Sequence, residues 1–123
     1  MSELVFVYGT LRPGGAAEEK MAGCEWLGGA RVAGELYQIA WYPGLKLGGD
    51  DYVMGDLFRI PEGKMPALDA YEGCSSSDPQ PHEYRRRMAE VTSANGLQRA
   101  WLWEYAWPLE KARLIPGGDW LEA

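Results

Sequence analysis

The sequence predicts an α+β fold, a small mixed sheet curled into a β-barrel with a few short helices. Short apolar runs with strand-like alternation recur along the chain, and most of them end at glycine or proline. The 123 residues include 16 glycines and 8 prolines, which favours many tight turns. A chain of this length can bury its own core, so we expect a single domain over residues 1–123.

The N-terminal half is expected to supply the first strands. Residues 4–8 form an apolar run that ends at Gly9, as in a buried strand that enters a sharp turn. A short helix could follow at residues 16–21. Residues 26–41 are typical of one or two strands, which the Tyr-Pro-Gly sequence at residues 42–44 should end.

The middle of the chain should hold one more strand and the clearest helix. Residues 52–60 carry apolar side chains on both faces of a predicted strand. Apolar residues then recur at helical spacing over residues 65–72, with Pro66 acceptable in the first turn. Gly73 suits the left-handed conformation that commonly follows a helix end. Residues 74–82 contain three serines and two prolines and are expected to form an irregular loop.

A β-hairpin is predicted near the C-terminus. Residues 84–92 and 97–107 have strand character and flank an Asn-Gly pair at residues 95–96, a strong hairpin signal. One face of the second arm carries Trp101, Trp103, Tyr105 and Trp107. Smaller apolar residues lie on the other face, so both faces should be covered.

Composition excludes several classes of function. The net charge of −6 argues against nucleic-acid or anionic-membrane partners, and the basic run 85–87 alternates faces like a solvated strand. Cys24 and Cys74 lack the spacing of a metal site and are expected to be free thiols. Without an apolar membrane span or a recognisable leader, the protein is expected in the cytoplasm. We also expect no metal and no cofactor.

Glu72 is the candidate acid or base. A carboxylate at a helix C-terminus faces the negative end of the helix dipole, which raises its pKa toward the range that a general base needs. The alternative is an exposed glutamate tolerated at a helix end. Asp69, one turn earlier, is expected on the helix surface, and His82, the single histidine, is expected to be solvated in its loop.

The sequence Tyr-Gly-Thr-Leu at residues 8–11 is the candidate binding loop. A strand that ends in glycine leaves several backbone N–H groups without ladder partners. Consecutive free amides suit a carboxylate or a developing oxyanion. The alternative is a simple glycine turn between strand and loop.

Six segments in order resemble the gamma-glutamylcyclotransferase-like (AIG2-like) family over nearly the whole chain: VFVYGTLRPG, ELY, GDLFRI, LDAYEG, Y-x-R and W-x-Y-x-WP. The resemblance implies a barrel with a pocket in which a gamma-glutamyl compound cyclises to 5-oxoproline and releases an amine or amino acid. By position, the substrate-binding loop would comprise Tyr8, Gly9, Thr10 and Leu11. Glu72 would be the catalytic acid/base, and Tyr84 would support the pocket.

The expected enzyme is an acyltransferase or lyase that acts on a small gamma-glutamyl molecule. Two other functions stay open: a catalytically silent module that binds a small metabolite, and a protein-interaction domain that uses the Trp-rich hairpin. The leaving amine and the oligomeric state are also open.

Overall fold

The structure is a computed structural model that describes residues 3–122. Its strands are β1 (Glu3–Val7), β2 (Glu25–Gln38), β3 (Pro43–Ile60), β4 (Tyr84–Ser93), β5 (Gly96–Tyr105) and β6 (Arg113–Leu114). The described helices are α1 (Met65–Tyr71) and two 3₁₀ turns, Glu18–Met21 and Trp120–Glu122. None of the helices within this part of the chain is long and apolar enough to cross a membrane.

Hydrogen bonding joins five of the strands into a closed ring. The order is β3-β1-β5-β4-β2, and β2 pairs back with β3, while β6 extends the sheet beside β2. β1 and β5 run parallel, with Val5 opposite Trp101, and the other pairs of described strands are antiparallel. The predicted mixed sheet with a few short helices is therefore confirmed.

The strand end expected at residues 42–44 is wrong, because β2 already ends at Gln38 and a new strand begins at Pro43. β3 starts at Pro43, which lies opposite Gln38, so β2 and β3 form one long hairpin. The register shifts between Ala33, which pairs with Tyr52, and Gly34, which pairs with Leu47, so β3 carries four extra residues, 48–51. The glycines there accommodate this bulge instead of ending the strand.

The predicted hairpin of β4 and β5 is present, but its turn differs from the expected one. Ser93 pairs with Gly96, so Ala94 and Asn95 occupy the turn. Gly96 has φ 95°, as in a turn closed by a glycine bulge. All described residues with a positive φ are glycines. β5 ends at Tyr105, before the exposed Trp107.

Alternate residues of the ring strands enter two hydrophobic cores. On β1, Val5 and Val7 contact one core and Phe6 contacts the other. β3 and β5 alternate in the same way, with Phe58, Ile60, Trp103 and Tyr105 in the first core and Val53, Leu57 and Leu102 in the second. This confirms that both faces of the second hairpin arm are covered.

Helix α1 covers the first core and ends next to Glu72. Met65 and Leu68 are its buried side chains, and Glu72 is its C-cap residue. Gly73 has φ 73°, which confirms the predicted left-handed helix end. The short helix expected at residues 16–21 is a 3₁₀ turn over Glu18–Met21. The first core thus fixes the segment that carries Glu72.

Two neighbouring glycines test the closeness of β1 to β3. A Cβ on Gly55 would lie 2.3 Å from the Val7 carbonyl oxygen and 2.6 Å from the Phe6 ring, whereas on Gly29 of β2 the nearest atom would be 3.9 Å away. We expect Gly55→Ala to lower the free energy of unfolding by at least about 1–3 kcal/mol. Gly29→Ala should change it by less than about 1 kcal/mol. Urea unfolding of both variants checks this, and equal losses would contradict the packing described.

Candidate active site

One cavity brings together the two segments predicted to carry function. It has a volume of about 210 Å³ and is lined by the four loop residues 8–11 and by Glu72. Since a single water needs only roughly 10–15 Å³ of such space, the cavity can hold a ligand of many heavy atoms. Its wall also includes Tyr84, so every residue predicted for the site reaches the same cavity.

The loop at residues 8–11 follows directly from the end of β1. Its carbonyl groups are engaged, because Arg12 N donates to Gly9 O at 3.1 Å and Ala17 N donates to Thr10 O at 2.8 Å. The amides of Gly9, Thr10 and Leu11 donate no hydrogen bond to any residue of the described range 3–122. Neighbouring amides of this kind can receive an anion in the cavity that the loop lines.

Gly9 is required by close packing and not by a left-handed backbone. A Cβ at this position would lie 2.6 Å from Cγ and 2.9 Å from Cδ of Pro43, the first residue of β3. Pro43 also lines the cavity, so the loop and β3 meet at the wall of the site. A larger residue at position 9 would push the loop amides away from this wall.

Arg12 anchors the loop from outside the cavity. Its Nε donates to Asp56 Oδ2 and its Nη1 donates to Asp119 Oδ1, each at 2.8 Å. The other oxygen of Asp56 accepts from Trp26 Nε1 at 3.0 Å. The guanidinium is therefore used in tying the loop to β3 and to the C-terminal segment.

A hydrogen bond links the loop to helix α1. Thr10 Oγ1 lies 2.7 Å from the hydroxyl of Tyr71, the last residue of the helix. Glu72 follows immediately, and its backbone N–H donates to Leu68 O at 3.0 Å. The Thr10 side chain thus fixes the end of the helix beside the binding loop.

Glu72 has a perturbed carboxyl group. Its pKa is raised from the usual 4.5 to about 8, mainly by burial of the carboxyl group and to a smaller extent by the charges of Glu83 and Asp69. Within residues 3–122, no group donates a hydrogen bond to its carboxylate to oppose this shift. The pKa of Glu72 is raised, as predicted. The main cause is desolvation of the carboxyl group at the end of a seven-residue helix, whereas the sequence analysis gave the helix dipole as the cause.

Two cavity residues were missed in the sequence. The hydroxyl of Tyr42 donates to Glu83 Oε2 at 2.5 Å, and both residues line the cavity with Glu72. Burial, aided by the neighbouring Glu83 charge, raises the pKa of Tyr42, so the phenol remains a proton donor in this bond. The sequence indicates for Tyr42 only a place in the segment that should end a strand. Glu83 carried no signal except its position next to Tyr84.

Asp69 was expected on the helix surface, but its carboxylate is engaged by three other side chains. It accepts a hydrogen bond from Trp103 Nε1 at 2.9 Å and one from Cys74 Sγ at 3.5 Å, and pairs with Arg86 Nη1 at 3.1 Å. Arg86 also lies over the Trp101 ring, 4.9 Å from its centroid. The view of residues 85–87 as a wholly solvated run is therefore wrong for Arg86, because strand alternation turns it toward α1.

The two predicted tyrosines contribute rings more than hydroxyl groups. Tyr8 OH donates to Trp103 O at 2.7 Å and accepts from Leu45 N at 3.2 Å. Tyr84 OH donates to Pro43 O at 2.5 Å. Burial raises the pKa of both tyrosines far above the usual value. Neither phenol is therefore suited to exchange protons near neutral pH.

His82 lies away from this cavity. Its Nε2 is 3.4 Å from Asp78 O, and the residue lines a second, polar cavity of about 340 Å³. The second cavity shares Tyr84 with the first but includes neither Glu72 nor the loop at residues 8–11. The chemistry suggested by the sequence thus belongs to the smaller cavity.

The ring of strands with its short helices is the fold of known gamma-glutamylcyclotransferase-like proteins. The crystal structure of an AIG2-like protein from Mus musculus aligns with a TM-score of 0.74 at 21% identity, over 85% of this chain and 78% of that one. The solution structure of YtfP from Escherichia coli aligns with a TM-score of 0.71 at 30% identity, over 97% and 96% of the two chains. The fold class is therefore shared with these proteins.

Sequence comparison defines the family. The profile of the family described as gamma-glutamyl cyclotransferase, AIG2-like matches residues 5–122, so the chain belongs to this family. It is 33% identical over 124 residues to a putative gamma-glutamylcyclotransferase from Vibrio cholerae, covering 99% of this chain and 98% of the relative. It is 29% identical over 125 residues to the gamma-glutamylcyclotransferase family protein YtfP of E. coli strain K12, covering 96% of each.

The raised pKa of Glu72 predicts a pH-dependent cost to stability. Folding raises this pKa from 4.5 to about 8, so the folded state binds the proton more tightly and stability falls as pH rises between these values. Glu72→Gln has no such titration. The free energy of unfolding of Glu72→Gln, compared with that of wild type, should therefore rise by on the order of 1–4 kcal/mol between pH 5 and pH 9.

Unfolding by urea across this pH range measures the difference. Glu90→Gln is the matched control, because Glu90 is exposed on β4 and is not part of the cavity wall. We expect it to follow wild type at every pH. A difference between Glu72→Gln and wild type that does not change with pH would contradict a desolvated, titrating carboxyl group at Glu72.

Proposed function

We propose that the protein catalyses the intramolecular cyclisation of a gamma-glutamyl compound to 5-oxoproline, with release of an amine or amino acid. The observation that carries the proposal is that the loop at residues 8–11 and Glu72 line one cavity. Membership in the gamma-glutamyl cyclotransferase, AIG2-like family supports it, as do the names of the relatives. The site would thus combine an anion-binding loop with a single proton carrier.

The substrate supplies its own nucleophile in this reaction. The nitrogen of its α-amine attacks the γ-carbonyl carbon, a C–N bond closes the five-membered ring, and the C–N bond to the leaving amine breaks. Glu72 accepts a proton from the substrate ammonium, which frees the nitrogen for attack, and delivers it to the departing nitrogen. The second proton that the ring nitrogen loses leaves with the released amine as its ammonium, so the carboxylate is restored at the end. A serine or cysteine nucleophile is not needed, because the reacting atoms belong to one molecule that the cavity holds in a curled form.

A carboxyl group with a pKa of about 8 suits this double role. A general base with a pKa near the working pH can accept a proton and also return it. An arriving substrate ammonium would favour the ionised form of Glu72, since opposite charges stabilise each other. Burial of Glu72 therefore prepares it for proton exchange with the substrate.

Backbone amides are the groups available to hold the negative charge of the substrate. Among the described residues, no lysine, arginine or histidine lines the cavity. The amides of Gly9, Thr10 and Leu11 would bind the substrate carboxylate or stabilise the oxyanion that forms on the γ-carbonyl. Aromatic side chains, including Tyr84 and Trp103, form much of the remaining wall and limit access of water.

Removal of the proton carrier should abolish turnover and leave binding intact. We expect Glu72→Gln to lower the rate of 5-oxoproline release by about 10²–10⁴-fold, the range typical of lost acid/base catalysis. Release is measured by chromatography over a panel of gamma-glutamyl amines and dipeptides, and affinity for 5-oxoproline is measured by calorimetry. Glu90→Gln should retain full activity.

Two results would contradict this account in different ways. Full activity of Glu72→Gln would remove the role given to Glu72. Wild-type protein that binds the panel compounds but releases no 5-oxoproline would instead identify a catalytically silent binding module.

The pH profile tests whether the base is the buried carboxyl. Because Glu72 must be ionised to accept a proton, kcat/KM should rise with pH and show an apparent pKa of about 8. The titration of the substrate amine, followed by NMR, separates its contribution from that of the protein. An ascending limb near the ordinary glutamate value of 4.5 would contradict the proposed base.

A further inference from the structure

We infer that Glu83, oriented by Tyr42, selects substrates whose leaving amine carries a positive charge and no carboxylate. This inference rests on the proposed cyclisation, since it concerns the part of the substrate that is released. It is carried by the position of Glu83 in the cavity, by its hydrogen bonds and by the charges of the cavity wall.

The leaving group should lie at the exposed end of the cavity. Phe6 and Trp103, which line the cavity, are 0% and 2% exposed, whereas Trp41 is 66% exposed. Tyr42 and Glu83 are also partly exposed, so with Trp41 they form one side of the mouth; Tyr71, Glu72 and Gly73, which are partly exposed too, form another. A glutamyl group bound between the loop amides and Glu72 can direct its γ-substituent toward this part of the opening.

Glu83 is held in place and keeps one oxygen available. Its Oε2 accepts the hydrogen bond of Tyr42 at 2.5 Å, and its backbone carbonyl accepts from Ala106 N at 2.7 Å. Its Oε1 accepts no hydrogen bond from residues 3–122. An ammonium group at the mouth could therefore pair with a carboxylate whose position is already fixed.

Aromatic rings complete a site for a cation. The rings of Trp41 and Tyr42 are packed edge to face, with centroids 5.2 Å apart and an interplanar angle of 83°. Electron-rich ring faces attract ammonium groups, and Trp is the strongest of these partners. The mouth thus offers a cation one carboxylate and two aromatic groups.

A carboxylate on the leaving group would find the opposite environment. Glu72 and Glu83 line the cavity, and in the part of the chain that the structure describes no cationic side chain does. Lys20 comes near but lies over the ring of Tyr71, 5.7 Å from its centroid, and does not line the cavity. The loop amides already serve the glutamyl half, so a second carboxylate would be repelled without a compensating partner.

Three substrates with leaving chains of equal length isolate the effect of charge. They are the γ-glutamyl derivatives of 1,4-diaminobutane, pentylamine and 4-aminobutyrate, which end in an ammonium, a methyl and a carboxylate. For wild type we expect kcat/KM for the ammonium compound to exceed that for the methyl compound by about 10-fold. The carboxylate compound should be the poorest of the three.

Variants assign this preference to Glu83. Glu83→Gln should reduce the ratio of the ammonium to the methyl compound to about 2-fold or less, whereas Glu90→Gln should keep the wild-type ratio. Because each ratio is taken within one variant, a general loss of activity or a changed pKa of Glu72 cancels. Tyr42→Phe keeps the charge of Glu83 but removes its hydrogen-bond donor, and should lower the ratio by a smaller factor.

The outcomes separate this inference from the proposed function. Similar kcat/KM values for all three compounds would overturn the inference and leave the cyclisation intact. A wild-type ratio in folded Glu83→Gln, or in Tyr42→Phe if the former does not fold, would overturn the role of the Tyr42–Glu83 pair. Absence of 5-oxoproline from all three compounds with wild type would overturn the proposed function, and this inference with it.

Discussion

The hydrogen bond between Thr10 and Tyr71 joins the two parts of the candidate site. The loop at residues 8–11 is fixed by β1, and α1 is fixed by packing of Met65 and Leu68 on the first core. These elements are far apart in sequence, and the 2.7 Å contact between the two hydroxyl groups connects the loop with the end of the helix. The unpaired amides and the Glu72 carboxyl share a cavity because this contact and the packing of α1 on the first core hold the loop and the helix end in the same place.

The described cavity wall contains no cationic side chain, and this affects both anion binding and proton transfer. A lysine or arginine beside Glu72 would favour the ionised carboxylate and lower its pKa. Backbone amides offer partial positive charge without a full cation, so they can receive a carboxylate while leaving Glu72 a stronger base. Arg12, the nearest arginine in sequence, is engaged by Asp56 and Asp119 outside the cavity. Substrate anchoring and a raised pKa of about 8 are thus compatible in one small cavity.

Local signals allowed the main elements and two parts of the site to be predicted from the sequence. The alternating strands and the left-handed Gly73 depend on neighbours in the chain, and the structure confirms them. The loop at residues 8–11 also depends on neighbours and lines a cavity, while its binding role stays a prediction. The pairing of Tyr42 with Glu83 and of Asp69 with Trp103 depends on closure of the ring of strands, which brings distant segments together. Similarly, the cause of the raised Glu72 pKa is burial, and burial is a property of the whole fold and not of a helix end.

A crystal structure with glutaric acid monoamide tests whether the loop at residues 8–11 and Glu72 hold a glutamyl group in one cavity. This compound keeps the carboxylate and the amide of a γ-glutamyl group but lacks the α-amine, so it cannot cyclise. We expect it to occupy the cavity at residues 8–11, with an oxygen within hydrogen-bond distance of amides among Gly9, Thr10 and Leu11. Glu72 should face the position that the α-amine of a substrate would take. Binding in the second cavity, beside His82 and Arg86, would contradict it.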